Sequence, residues 1–114
     1  MSRNWQQRIQ DIQSAIAKIQ NYTQELTFDE FQNQSAIVDA VLYNFTVIGE
    51  AVRMIPEDIQ IRYPEVPWQD MKALRNGMVH EYFKVSYEII WDTIQYDLDQ
   101  LIPQLKRILE IESN

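Results

Sequence analysis

The chain has 114 residues, 46% of them hydrophobic, a net charge of −7 and no cysteine. That length suits a single domain over residues 1–114 with one modest core. The missing cysteines exclude disulfides and thiolate metal sites, and the acid surplus argues against a general nucleic-acid coat while leaving room for a local cationic site.

Only two glycines, Gly49 and Gly77, and four prolines punctuate the sequence, too few for the turns of an all-β fold. The first residues are polar and carry no apolar signal core, so export is not expected. No run of about 18 apolar residues is evident, so no membrane span is expected and the cytoplasm is the expected location.

The first predicted helix covers residues 4–24. Trp5, Ile9, Ile12, Ile16, Ile19 and Tyr22 recur at intervals of three and four, which draws one apolar stripe. Thr27 is a candidate N-cap for a new start at Phe28. A long helix is predicted from Gln34 to Met54. Its middle is apolar nearly all round, so some of its burial is expected from a second chain. Pro56 suits the first turn of a short helix from Glu57 to Arg62. Pro64 and Pro67 bracket a loop, and another helix is predicted from Trp68 to Arg75. The pair Asn76-Gly77 is expected to end it, with Gly77 in the left-handed conformation. Ser86 is the predicted N-cap of a last helix reaching Glu110, with the stripe Ile90, Trp91, Ile94, Leu98, Leu101, Leu105 and Ile108. Pro103 predicts a kink near residues 99–103, and the tail from Glu110 is expected to fray. These elements make an all-α, up-down bundle of four main helices plus short ones.

The chemistry concentrates in Arg75-Asn76-Gly77-Met78-Val79-His80-Glu81-Tyr82, which holds the only histidine. On an unbroken helix, positions 75 and 80 lie about 140° apart and positions 75 and 82 about 20° apart. Convergence of all three needs a bend, a loose turn or a second copy across a two-fold axis. An imidazole exchanges protons at neutral pH, and a guanidinium makes paired hydrogen bonds to phosphate. Together they suit RNA cleavage without a metal: a base takes the ribose 2′-OH proton, the oxygen attacks the adjacent phosphorus, and the guanidinium holds the developing charge. The same residues also admit plainer roles. His80 beside Met78, Val79 and Phe83 could be a structural histidine, Tyr82 a packing residue, and Arg75 the partner of one of the 17 acids. With one histidine and no cysteine, no metal site is expected.

The segment Arg75 to Phe83 resembles the Arg-x4-His-x-Tyr motif of HepT-like toxins in the HEPN superfamily (higher eukaryotes and prokaryotes nucleotide-binding domains). Asn44 to Arg53, with its Ile-Gly-Glu-Ala core, is similar to that family's central helix. Tyr63-Pro64, Pro67-Trp68 and Met71 are similar to its approach to the motif, and Trp91 with Leu101 to Leu105 to its last helix. The resemblance covers residues 5–110. It implies a HEPN-type helical bundle that forms a homodimer with two motifs facing one cleft. It implies a metal-independent endoribonuclease, the toxin of a type VII toxin–antitoxin pair. Its partner would be an MntA-like nucleotidyltransferase antitoxin that spends ATP to place AMP on the motif tyrosine; the toxin itself would need no cofactor. By position, Arg75 and His80 take the catalytic roles, Tyr82 the modified role, and Asn76 an auxiliary hold on substrate. Glu50 and Arg53 are further auxiliary candidates, because charges on a nearly all-apolar helix need partners; a structural ion pair is the alternative. Glu81 departs from the glycine often found between the histidine and tyrosine. It could raise the imidazole pKa or repel RNA phosphate. Two other functions fit the sequence: a non-catalytic nucleotide- or substrate-binding subunit of a nucleotidyltransferase complex, and a plain helical dimerisation module.

Overall fold

The computed structural model describes residues 3–80 and 86–113, with side chains described for 3–75 and 86–113. Helix α1 is Trp5–Thr23, α2 Phe28–Gln32, α3 Ser35–Arg53, α4 Glu57–Arg62, α5 Trp68–His80, α6 Tyr87–Asp92 and α7 Leu98–Ile111, with a π-helical stretch, Thr93–Asp97, joining α6 to α7. Among the described residues every regular element is helical, as the apolar periodicity predicts.

The starts of the helices follow from local chemistry. Asn4 and Gln7 form a reciprocal capping box at α1: the Gln7 amide donates to Asn4 Oδ1 at 2.8 Å, and the Asn4 amide donates to Gln7 Oε1 at 3.0 Å. Thr27 and Glu30 repeat it at α2. Ser86 Oγ accepts the Ile89 amide at the start of α6. Each cap satisfies amides that the first turn leaves without helical partners.

Helix α3 is the axis of the bundle and packs most extensively on α1 and α5. It buries Val38, Val41, Phe45, Ile48 and Val52, opposite Ile9, Ile12, Ile16 and Ile19 of α1. By length and composition α3 is the one helix among the described residues apolar enough to cross a membrane, which the sequence expectation overlooked. Its packing against α1 and α5 is that of a core helix. Tyr43 is 68% exposed, so α3 is not enclosed all round within one chain.

Several expectations need correction. Tyr22 leaves the α1 stripe and is exposed, because Thr23 takes the buried position and its hydroxyl donates to the Ile19 carbonyl. Trp5 is half-buried at the rim of the core. Helix α5 does not end at Asn76-Gly77: it continues to His80, and no described glycine has a positive φ. The weak helix propensity of that pair, about 1 kcal/mol for the glycine, yields to the extensive docking of α5 on α3. The predicted last helix is interrupted by a π turn at Thr93–Asp97, upstream of residues 99–103, and Pro103 sits inside α7. Ile90, Ile94 and Leu98 are spaced by four and four, which drifts about 80° around an α-helix. The wider π turn takes up that drift, and all three are buried. Thr93 marks its start by donating its hydroxyl to the Ile89 carbonyl at 2.8 Å.

The C-terminal segment is tied down. Arg62 reaches both oxygens of Glu112 at 2.7 and 2.8 Å, and the Tyr63 hydroxyl donates to the same carboxylate at 2.5 Å. Hydrogen bonds from Tyr63 and Arg62 hold the Glu112 carboxyl below the ordinary glutamate range. The Trp68 indole donates to the Tyr63 carbonyl at 3.0 Å and so closes the loop that leads into α5.

Candidate functional site

The site begins at a glycine. A Cβ placed on Gly49 would stand 2.6 Å from Arg75 Cβ and 2.8 Å from the Arg75 amide nitrogen. Helices α3 and α5 therefore meet backbone to backbone, at the residue that opens the motif. A glycine inside a helix costs about 0.5–1 kcal/mol relative to alanine, so close approach is the physical reason for one here. Gly49 was legible only as part of the Ile-Gly-Glu-Ala run. An isolated glycine in an otherwise apolar helix is the signal that could have singled it out.

This crossing sets the ion pairs. Glu50, next to Gly49, pairs with Arg75 Nε, and Arg53 stands 3.8 Å from the same carboxylate, one helical turn further on. The Arg75 side chain is 31% exposed and that of Glu50 49%. Glu50 meets Arg75 through Nε, one of the five donors that a guanidinium presents in a plane. Of the two auxiliary candidates on α3, Glu50 therefore meets Arg75 directly and Arg53 stands at Glu50. The ion pair foreseen between Glu50 and Arg53 exists, and it extends to Arg75.

Asn76 and His80 lie on α5 beyond Arg75, with helical backbone. Because α5 is unbroken from Trp68 to His80, the bend that could have brought positions 75 and 80 onto one face is absent. They remain about 140° apart around the axis. Tyr82, Glu81 and Phe83 lie outside the described residues. No group of three or more His, Asp or Glu forms a metal-binding cluster among the described residues.

A family model described as "Ribonuclease HepT-like" matches residues 12–108, which spans α1 to α7 and the whole Gly49–Arg75 crossing. The chain belongs to the Ribonuclease HepT-like family. Among similar proteins, "Putative RNase MJ0127" of Methanocaldococcus jannaschii is 39% identical over 100 residues, covering 88% of this chain and 83% of the relative. "Putative RNase MJ0125" of the same organism is 36% identical over 100 residues, covering 88% and 86%. "Probable ribonuclease HepT" of Thermococcus cleftensis is 32% identical over 108 residues, covering 95% and 98%. No solved structure matches the chain. The HepT-like assignment agrees with the all-helical, HEPN-type bundle, and ribonuclease is the activity of the family by its own description.

Proposed function

We propose that the chain is a metal-independent endoribonuclease whose site is assembled from two copies, Arg75 of one facing His80 of the other. The observation that carries this is the Gly49 crossing. It fixes a partly exposed guanidinium on the same unbroken helix as the only histidine, yet on a different face. A two-fold axis brings together what one helix keeps apart.

In the proposed reaction, His80 accepts the proton of a ribose 2′-OH and the 2′ oxygen forms a bond to the adjacent phosphorus. The bond from phosphorus to the 5′ oxygen breaks, and that oxygen takes a proton from the imidazolium. The products are a 2′,3′-cyclic phosphate and a 5′-hydroxyl. Arg75 stabilises the negative charge on the phosphoryl oxygens, and Asn76 helps to hold the strand. RNA phosphate competes with Glu50 for Arg75, and Arg53 is placed to take the displaced carboxylate. DNA lacks the 2′-OH and is not cut.

The biological setting that fits is a toxin–antitoxin pair acting in the cytoplasm. A nucleotidyltransferase antitoxin transfers AMP from ATP to the Tyr82 hydroxyl: the phenol oxygen bonds to the α-phosphorus and pyrophosphate leaves. The added bulk and negative charge on the motif would exclude RNA. The toxin itself uses no cofactor. A second function, a non-catalytic nucleotide-binding subunit, is favoured by the acid surplus and by Glu50 standing on Arg75.

Incubation of purified protein with single-stranded RNA in EDTA separates them. Cleavage that leaves 2′,3′-cyclic ends and vanishes in His80→Ala supports the nuclease. ATP binding with RNA left intact across varied substrates supports the subunit.

A further inference from the structure

A groove of about 370 Å³ runs between α1 and α3 and is continuous with the ion-pair cluster, because Glu50 lines it. From α1 it receives Arg8, Asp11, Ser14 and Lys18; from α3 it receives Tyr43 and Glu50. The overall acidity of the chain does not extend to this face. Asp11 is held by Arg3 through two contacts, at 2.9 and 2.7 Å. Glu50 is held by Arg75 and approached by Arg53. Both acids of the groove are thus neutralised from its rim. Five of the chain's ten Lys and Arg stand in the groove or in the ion pairs on its edge, against two of its 17 acids.

Two further cations, Arg8 and Lys18, line the groove. Arg8 Nε is buried and has no hydrogen-bond partner among the described residues. A buried donor without an acceptor is costly, so an anion that drew the Arg8 guanidinium into the groove would relieve it. Lys18 makes no ion pair among the described residues and stands ten residues further along α1, about 15 Å away. Tyr43 is 68% exposed, an aromatic face available to a stacked base.

We infer that the α1–α3 groove is a track for single-stranded RNA, with Arg8 and Lys18 on two backbone phosphates and Tyr43 under a base, leading the strand to Arg75. This rests on the ribonuclease reading and adds where its substrate lies. A positively charged groove with an interleaved aromatic matches a polyanion that has exposed bases.

The test uses His80→Ala protein, which holds RNA without cutting it, and fluorescently labelled single-stranded RNA titrated at several salt concentrations. Arg8→Gln and Lys18→Gln should each weaken binding and lower the slope of log K against log salt by about 0.7, the contribution of one phosphate on a single strand. Tyr43→Ala should weaken binding about five-fold or more with the slope unchanged. Lys106→Gln, on the exposed face of α7, should change neither. An unaltered affinity and slope in both groove variants, with RNA still bound by the parent, overturns the track and leaves the nuclease standing. A shift in oligomeric state in place of lost RNA binding assigns the groove to a second copy and overturns it too. No RNA binding by the parent at any salt removes the ribonuclease reading itself.

Discussion

Gly49→Ala sets two well-known effects against each other. In an open helix, replacing glycine by alanine stabilises by about 0.5–1 kcal/mol. Here the new methyl would meet Arg75 Cβ at 2.6 Å and its amide nitrogen at 2.8 Å, where ordinary contact lies at 3.4–4 Å. Neither atom is the end of a flexible side chain, so α3 and α5 must part. Overpacking of this kind costs about 1–3 kcal/mol, which outweighs the propensity gain and leaves a net loss of about 1–2 kcal/mol. For a domain of this size that lowers the melting temperature by about 4–8 °C. Arg75 also moves, and a misplacement near 1 Å can cost about a hundred-fold in rate. Thermal unfolding by circular dichroism together with RNA cleavage reads both effects, and Gly49→Ser should lose at least as much. A Gly49→Ala protein that melts above the parent and cuts RNA normally would refute the backbone contact between the two helices.

Other outcomes follow from the same geometry. Glu50→Gln in a His80→Ala background should bind RNA several-fold more tightly, because one competing charge worth up to about 1 kcal/mol leaves Arg75; filter binding measures it, and weaker binding would contradict the competition. Glu112 is held below the ordinary glutamate range, so its contribution is fully present above that range and is lost as pH falls below about 4.3 through the depressed folded value. Urea melts between pH 7 and pH 3 should show a shallower acid decline in Glu112→Gln, and identical declines would count against the Tyr63–Glu112 bond as its source. Thr93→Val removes the hydroxyl that bonds the Ile89 carbonyl at the π turn and should lower stability by about 1 kcal/mol in the same melts. Co-expression with a nucleotidyltransferase partner should add the mass of AMP to the parent and not to Tyr82→Phe, which intact-protein mass spectrometry reads directly.

The helices were legible where a residue type has one good use. Ile9, Ile12, Ile16 and Ile19 at helical spacing could only make a buried stripe, and Thr27 and Ser86 supplied caps whose partners lie within three residues. Tertiary effects escaped the sequence. Asn76-Gly77 carries a local stop signal that the docking of α5 overrides. Pro103 drew attention to residues 99–103, whereas the π turn at Thr93–Asp97 lies upstream, where the pattern of Ile90, Ile94 and Leu98 gave no local stop signal. The Glu112 anchor depends on Arg62 and Tyr63, far away in the chain, and no local pattern announces it. At the site, charges on an apolar helix pointed correctly to Glu50 and Arg53 as paired groups. That Glu50 also meets Arg75 is a consequence of the Gly49 crossing, which only the assembled helices reveal.

The central claim is that Arg75 of one copy works with His80 of another, and subunit mixing tests it most directly. Arg75→Ala and His80→Ala proteins, each inactive alone, are mixed under conditions that allow subunit exchange, and RNA cleavage is followed in EDTA. A shared site predicts that mixed dimers hold one intact pair, so that activity returns to about a quarter of the parent's after random exchange. A mixture as inactive as its components, beside an active parent and with exchange verified, would contradict the account.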